Sequence, residues 1–540
     1  MHTGHNGVPM KRKSVGLLLL FFLIPMVDLF SQILCDPRDS LYKDISLWEG
    51  KGLVDNLPPL RPYPAQVVKD ILYAVIARGD RQDRDIAGRY LSEIEGKLAF
   101  RPAGGHISRF SQDLYYGRTG ADLLFGGFLG NPVSVSGRLG VWLVDMQERD
   151  YVLPYGNLPC RDFLDDWSDI DLFGRNYLVR QDFLGNLAVG NEKLYFQSGM
   201  MRSTYGPFYD NGAILGGEAP RSGHFSMTWR ADKFTYTNLL LLLTATNNRG
   251  AGRFTQKYLS LHSLNVPVTS WFELGAFETV VYGGRFEPLY LVPVYLFFHT
   301  QGMLGFPDNS FAGLSGRLRL FNSITIPVVF YVDDFHFNDF VRFKFDTKYK
   351  VAIQAGVTWT PLLPVLGDGR FKRISLDYLM VTPYTYTHLD SGDNPDDVNY
   401  QNYTHMGVNL GPVLEPNSDR LTLELLISPI RFLDITLSGR YFRHGNASQG
   451  ITDGDGTIFD PGYDEQGRPT FQDETRFLTQ EVIEKTLQIG IDLEAGFPLW
   501  KGELKARAGY TLESVWNKDL EKGKMDTIHY FTIGLQYGIN

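Results

Sequence analysis

The stretch from Thr486 to Asn540 constrains the fold more than any other, because three successive segments alternate apolar and polar residues with a period of two. Leu487, Ile489, Ile491, Leu493 and Ala495 share one face, with Gln488, Gly490, Asp492 and Glu494 on the other. A two-residue period is that of a strand, whose successive side chains point to opposite sides. The second segment sets Leu504, Ala506, Ala508, Tyr510 and Leu512 against Glu503, Lys505, Arg507, Gly509 and Thr511; the third sets Phe531, Ile533, Leu535, Tyr537 and Ile539 against Thr532, Gly534, Gln536 and Gly538. Strands with one continuous apolar face and one charged face, each able to cross a bilayer in about 9–11 residues, predict a transmembrane β-barrel. The competing expectation is a soluble β-sandwich or barrel, which alternates in the same way around an interior core.

Composition favours the membrane reading. Aromatic residues make up 14% of the chain, yet mean hydropathy is only −0.17, as expected where each strand averages an oily and a polar face. The net charge of −9 excludes a nucleic-acid partner, whose phosphates need a basic surface. Residues 1–31 read as a signal peptide: Lys11, Arg12 and Lys13 precede an apolar run from Val15 to Phe30 that ends at Ser31. Cys35 raises a lipoprotein alternative, but the residues before it lack the small side chain normally found there. Pairing of Cys35 with Cys160, the other cysteine, is a further expectation in an oxidising compartment. The apolar runs Leu239–Leu243 and Leu289–Phe298 are too short for a membrane helix. The expected location is therefore the outer membrane of a diderm bacterium, with lipid as one partner. The end of the chain resembles the C-terminal signal of outer-membrane barrels, which makes Thr532, Gly534, Tyr537 and Ile539 the expected contacts with the insertion machinery.

Residues 36–100 break the pattern. Val67, Val68, Ile71, Leu72, Val75 and Ile76 fall at helical spacing behind Pro64, and Ile86, Leu91, Ile94 and Leu98 mark a second helix from Asp85 to Leu98. This helical N-terminal module reads as a plug or cap at one barrel mouth, or as a unit of the S-layer-homology type. The barrel is assigned to 105–540, with strands near 107–115, 134–146, 176–188, 193–203, 223–231, 234–246, 257–264, 269–282, 312–320, 323–332, 348–360, 371–386, 404–411, 420–428 and 433–443 before the last three. That is about 18 antiparallel strands, with 16 or 20 also allowed. The alternation turns Glu424, Asp434, Arg440, Asp492, Glu494, Lys505 and Arg507 toward the lumen. The longest connections, Tyr205 to Ser222, Asp390 to Gln401 and His444 to Phe477, are expected to be surface loops.

Several short motifs occur in one order: Tyr205-Gly206-Pro207, Leu259-Ser260-Leu261-His262, Glu278 with Tyr282-Gly283, the segment Pro293 to His299, Asp308-Asn309, and Tyr331-Val332-Asp333-Asp334. In order and spacing they resemble the capsule-assembly Wzi-like outer-membrane proteins. The resemblance implies an eighteen-stranded barrel with an attached helical bundle, closed to free diffusion, that holds exported polysaccharide at the cell surface. It also makes His262, Glu278, Asp308, Asn309, Asp333 and Asp334 candidate ligand contacts. Sugars pack against aromatic faces and exchange hydrogen bonds with carboxylates and amides, so Tyr205, Phe208, Tyr209, Asp210 and Asn211 form one candidate site and Tyr400, Asn402 and Tyr403 another. Ordinary girdle aromatics and rim contacts, such as Asp333 or Asp334 pairing with Arg317 or Arg319, are the structural alternative.

No Walker loop, zinc spacing or nucleophile elbow occurs, and no cofactor is expected. The acidic loop around Asp453, Asp455, Asp460 and Asp464 lacks the glycine and glutamate positions of a calcium loop, so no metal is assigned. The expectation is a non-enzymatic barrel that retains polysaccharide, with a solute channel as the main alternative and a hydrolase as a minor one.

Overall fold

In the computed structural model, the described residues are 36–539 apart from 95–97, 113–114, 147–168, 173–174, 246–255, 294, 335–341, 343–348, 362–370, 389–399, 407 and 446–475. The expected signal peptide, both cysteines and the acidic loop lie outside them.

Eighteen strands form one closed antiparallel barrel. In chain order they are Ala99–Phe110, Tyr115–Gly130, Val133–Met146, Arg175–Gly190, Leu194–Met201, Ser222–Arg230, Thr235–Thr244, Gln256–Pro267, Phe272–Gly283, Asn309–Leu320, Ile324–Asp334, Lys350–Trp359, Phe371–Val381, Ser418–Ile430, Leu433–Gly445, Ile483–Leu499, Gly502–Trp516 and Met525–Ile539. Each pairs with its neighbour in sequence, and the ring closes where Ala103–Phe110 pairs with Phe531–Gly538.

The expected number of strands is found, but two strand assignments differ. Tyr115–Gly130 was not expected: its five glycines and the consecutive Leu123, Leu124 and Phe125 obscure the two-residue period. Residues 404–411 were expected to cross the wall, yet Thr404–His405 and Val408–Asn409 form a small separate hairpin. The first strand begins at Ala99, six residues before the expected barrel boundary, because the run Ala-Phe-Arg-Pro-Ala-Gly-Gly carries little alternation of its own and is held by neighbours on both sides.

Alternation sets the two faces of the wall. Leu421, Leu423, Leu437, Ile489, Ile533 and Leu535 point outward and are 39–54% exposed. Residues beside them in register, such as Glu424, Asp434, Asp492 and Arg507, point inward. An aqueous protein does not leave such a continuous aliphatic band uncovered, whereas a bilayer receives it. The short turns at one rim carry Leu129, Trp271, Phe321 and Trp500, the last 91% exposed, as expected at a membrane interface. That rim has connections of two to four residues at 131–132, 191–193, 231–234, 268–271, 321–323, 431–432 and 500–501 and one longer one at 360–370, whereas most connections at the opposite rim are longer. Bacterial barrels place short turns on the periplasmic side.

Before the barrel lie three helices, α1 (Ser40–Gly50), α2 (Ala65–Arg78) and α3 (Arg81–Ile94). Their apolar faces bury Leu41, Ile45, Trp48, Val68, Ile71, Leu72, Ala87 and Leu91 in a common core that also takes Tyr195 from the wall. α3 ends four residues earlier than its periodicity suggests, since the chain must straighten into Ala99.

Leu423→Arg, on the outward face near mid-strand, is expected to destabilise the lipid-embedded barrel by about 2–4 kcal/mol. Thr436→Arg on the inward face should cost much less. Denaturant titration of both variants in lipid vesicles checks the assignment of faces.

Candidate functional site: the filled lumen

An eighteen-stranded ring is too wide for its own side chains to fill. Here it is filled from both rims. The helical bundle sits at the short-turn rim, where Gln66 donates to the Pro132 carbonyl (2.9 Å) and accepts from Ser134 (2.8 Å). Arg230 donates to the Asn56 carbonyl (3.3 Å), and Arg319 pairs with Asp55. Deeper in, Glu49 at the end of α1 pairs with the lumen-facing Arg317, both almost fully buried, and Arg317 lies 3.9 Å from Glu273.

From the long-loop rim, residues 202–221 and the described parts of the later loop, 382–388 and 400–417 apart from 407, enter the barrel. Thr204–Tyr205 pairs on one side with Leu60–Arg61, which leads into α2, and on the other with Leu215–Gly216. The Tyr386 hydroxyl donates to the Ala213 carbonyl (2.6 Å) and the Tyr403 hydroxyl to that of Ile214 (2.8 Å), tying the second loop onto the first. Arg61 joins the two fillings. It is 1% exposed, donates to Thr204 Oγ1 (3.0 Å) and to the carbonyls of Gly206 and Phe208 (2.8 Å each), and lies over the Tyr209 ring at 4.3 Å.

The inner wall divides into two sectors. Along the long-loop half of the strands from Thr235 to Val381 it carries an apolar cluster: Leu239, Leu241, Leu259, Leu261, Val281, Val329 and Leu379 form one core with Ile214, Leu215, Tyr386 and Tyr403 of the loops. Along the strands from Ser418 onward it is charged. Arg373 pairs with Glu424, Lys372 with Asp434 (3.3 Å), and Arg507 with Asp492 (2.9 Å), the last two about 40% exposed. Lys505 and Glu494 lie beside them in register. Arg440 stands opposite Thr422 and Gln488. These seven residues lie on the inward side of the register, and Glu424, Asp434, Asp492, Arg507 and Lys505 are in ion pairs.

The expected sugar contacts do not converge. Tyr205 is buried and donates to Asn265 (3.4 Å), Tyr209 donates to Glu49 (3.0 Å), and Phe208 packs against the lumen core. Asn211, with φ of 51°, accepts from the Val413 amide (3.0 Å). Asp210 alone in this group is exposed. The expectation that Tyr205 to Ser222 forms a surface loop is therefore corrected: the lumen needs apolar and aromatic filling, and Ala213, Ile214 and Leu215 supply it. Tyr403 and Asn402 are buried for the same reason. Asp333 accepts from the Tyr386 amide (2.9 Å) and Asp334 pairs in register with Lys350, whereas Arg317 and Arg319 are taken by Glu49 and Asp55 of the plug. The expected pairing between those aspartates and arginines is replaced by plug contacts that one-dimensional reading cannot place. Asn309 donates to the Gln401 carbonyl (2.9 Å). His262, Glu278 and Asp308 lie outside the barrel altogether.

At the start of the plug, acids and guanidinium groups form a network. Asp36 pairs with Arg202 (2.9 Å), Asp39 lies 3.8 Å from Arg138, and Arg138 and Arg221 share Asp182. Burial pushes Asp36 up, but Arg38, Arg202 and Arg138 outweigh it and hold the carboxyl below its usual range. Burial and the neighbouring Asp36 push Asp39 up to about 7. Burial and Asp210 push Glu218, 3.9 Å from Arg38, to about 7 as well.

No protein-family model and no curated protein matches the sequence. Among solved structures the fold is similar to that of Wzi, an outer-membrane protein involved in group 1 capsule assembly in Escherichia coli and a carbohydrate-binding β-barrel, with a TM-score of 0.58 and 13% identity over 94% of this chain and 99% of that one. Pseudomonas aeruginosa OprD aligns with a TM-score of 0.43 and 9% identity over 83% of this chain and 96% of that one. OccD3 of the same organism aligns with a TM-score of 0.43 and 10% identity over 83% and 92%.

Two outcomes check the seating of the plug. Glu49→Ala leaves the buried Arg317 guanidinium with only the more distant Glu273, and should cost about 3 kcal/mol in denaturant unfolding. An acid whose folded pKa is raised stabilises the folded state fully below its unfolded pKa and loses that contribution as pH rises through the folded value. Asp39 and Glu218 therefore predict that the plug loosens between about pH 4 and pH 7, seen as faster proteolysis of α1 to α3 at pH 7.5 than at pH 5. Asp39→Asn should flatten that profile.

Proposed function

We propose that this chain is a non-enzymatic, Wzi-like outer-membrane barrel that binds or retains surface polysaccharide at its long-loop face and does not serve as a solute pore. The observation that carries this reading is the filling of the lumen from both rims, joined at the three-stranded sheet Leu60–Arg61, Thr204–Tyr205 and Leu215–Gly216. A diffusion channel needs a continuous aqueous path, whereas a surface binding protein needs a rigid base for its loops. The similarity of fold to a carbohydrate-binding barrel supports the same reading. The outward aliphatic band and the interfacial tryptophans support placement in the outer membrane of a diderm bacterium. The alternating final strand, with Tyr537 and Ile539 outward and Thr532 and Gly534 inward, supports recognition by barrel-insertion machinery.

One observation favours a channel. The charged sector is not fully covered: Asp492, Arg507 and Lys505 keep about two-fifths of their side-chain surface accessible. A narrow path along that side would be lined by both signs of charge and be weakly selective.

Planar-bilayer recording separates the two. The retention reading predicts negligible steady current from the full chain and large currents once residues 36–94 are deleted. It further predicts that immobilised capsular polysaccharide retains the full chain, with weaker retention of Asp210→Ala. Large steady currents from the intact protein, or no retention by any surface glycan tested, would overturn it.

A further inference from the structure

The connection between the strands ending at Gly283 and beginning at Asn309 does not enter the lumen and does not rise from the rim. It folds down the outside of the wall. Leu259, Leu261, Phe277 and Val281 belong to the lumen core, so Ser260, His262, Glu278, Val280 and Tyr282 point away from it. Outward residues such as Leu421, Leu423, Ile489 and Leu535 elsewhere on the wall are 42–54% exposed, yet Ser260, Val280 and Tyr282 are 0% exposed and His262 is 7% exposed. Tyr290 and Phe297 of the connection cover them.

The fastening is specific. The Phe297 amide, at the start of the helix Phe297–Leu304, donates to Glu278 Oε2 (2.6 Å), so a carboxylate meets the positive end of the helix. The His262 ring stacks on Phe297 at 4.1 Å and its Nε2 lies 3.5 Å from Glu278. Asn238 donates to the Leu291 carbonyl (3.3 Å), and Ser310 donates to Gln301 Oε1 (3.0 Å). At the return, Asp308 takes Arg285 in a two-point pair (3.0 and 2.5 Å) and accepts from the Tyr290 hydroxyl (2.7 Å).

The exchange of polarity is the informative feature. This sector of the wall turns Asn238, Ser260, His262, Glu278 and Ser310 outward, groups that would be costly against hydrocarbon. The strap hydrogen-bonds Asn238, Glu278 and Ser310 and covers His262 with the Phe297 ring on its inner side, and turns Leu296, Phe298, Met303 and Phe306 outward, 56–68% exposed. A loop bathed in water would show polar residues there. Below it on the same strands, Leu264, Leu274 and Leu314 continue the exposed apolar band without a break.

We propose that the strap formed by the described residues of 284–308 is part of the lipid-contacting surface, a re-entrant element whose outer side meets acyl chains of the bilayer. The inference rests on the outer-membrane reading above. The test is fluorescence quenching in vesicles, using the full chain with Cys35→Ser and Cys160→Ser and a single polarity-sensitive label at Phe298→Cys or Met303→Cys. Leu535→Cys on the bare wall and Lys522→Cys on an exposed loop serve as references. Labels at 298 and 303 are expected to be quenched by acyl-chain spin-labelled lipid as strongly as at 535, and to be shielded from aqueous iodide, whereas 522 behaves oppositely. If 535 is quenched by lipid while both strap positions are quenched by iodide, the strap is aqueous and the proposal fails with the membrane reading intact. Shielding of both strap labels from lipid and iodide alike would also overturn it, in favour of a protein partner. If 535 is not quenched by lipid either, the membrane reading falls and takes the strap with it.

Discussion

The width of an eighteen-stranded ring is the constraint from which the rest follows. Small barrels close over their own side chains, but this one encloses a space that its wall cannot reach across. Something else must occupy it, and the chain uses three separate pieces. Arg61 is where the helical plug and the first inward loop meet, and Tyr386 and Tyr403 tie the second loop onto the first. The Arg61 guanidinium is fully buried, which would be costly alone, yet one edge satisfies Thr204 and two carbonyls of the inward loop while its face lies on Tyr209. The short-turn plug and the long-loop filling are thereby one body.

That body is matched to the wall around it. Where the inner wall presents Leu239, Leu241, Leu259 and Leu261, the loops bring Ile214, Leu215, Tyr386 and Tyr403, and the contact resembles an ordinary protein core. Where the bundle approaches Arg317 and Arg319, it brings Glu49 and Asp55. The apolar sector supplies cohesion without direction, and the buried ion pairs supply position, since a misplaced plug would leave charges uncompensated.

Much of this was legible one residue at a time, and the limit is physical. The faces of the last three strands could be read because lipid and water impose opposite demands on adjacent residues. The helices of the plug could be read because their apolar faces recur at helical spacing. The inward course of residues 205–222 could not, since glycine, proline and aspartate serve a turn in water or a turn inside a barrel equally well. Tyr115–Gly130 was hidden because close approach of strands favours glycine, and glycine carries no face; a Cβ at Gly120 would lie 2.2 Å from the Val141 carbonyl oxygen. For the candidate site, His262, Glu278 and Asp308 stood out as chemistry-bearing residues, but sequence does not say which side of a wall a polar residue serves. The apolar run from Leu289 to Phe298 was the available sign that the loop between them does not stand in water.

The bundle and the wall are joined by very little chain. Only residues 95–98 separate the end of α3 from the first strand, a leash of at most roughly 18 Å between Ile94 and Ala99 when fully drawn out. A bundle pulled from its seat therefore stays within about one domain's breadth of the mouth, at an effective concentration in the millimolar range. Even weak contacts would suffice to bring it back, so any opening of this end would be brief and self-reversing, with the stopper never lost to the surrounding compartment.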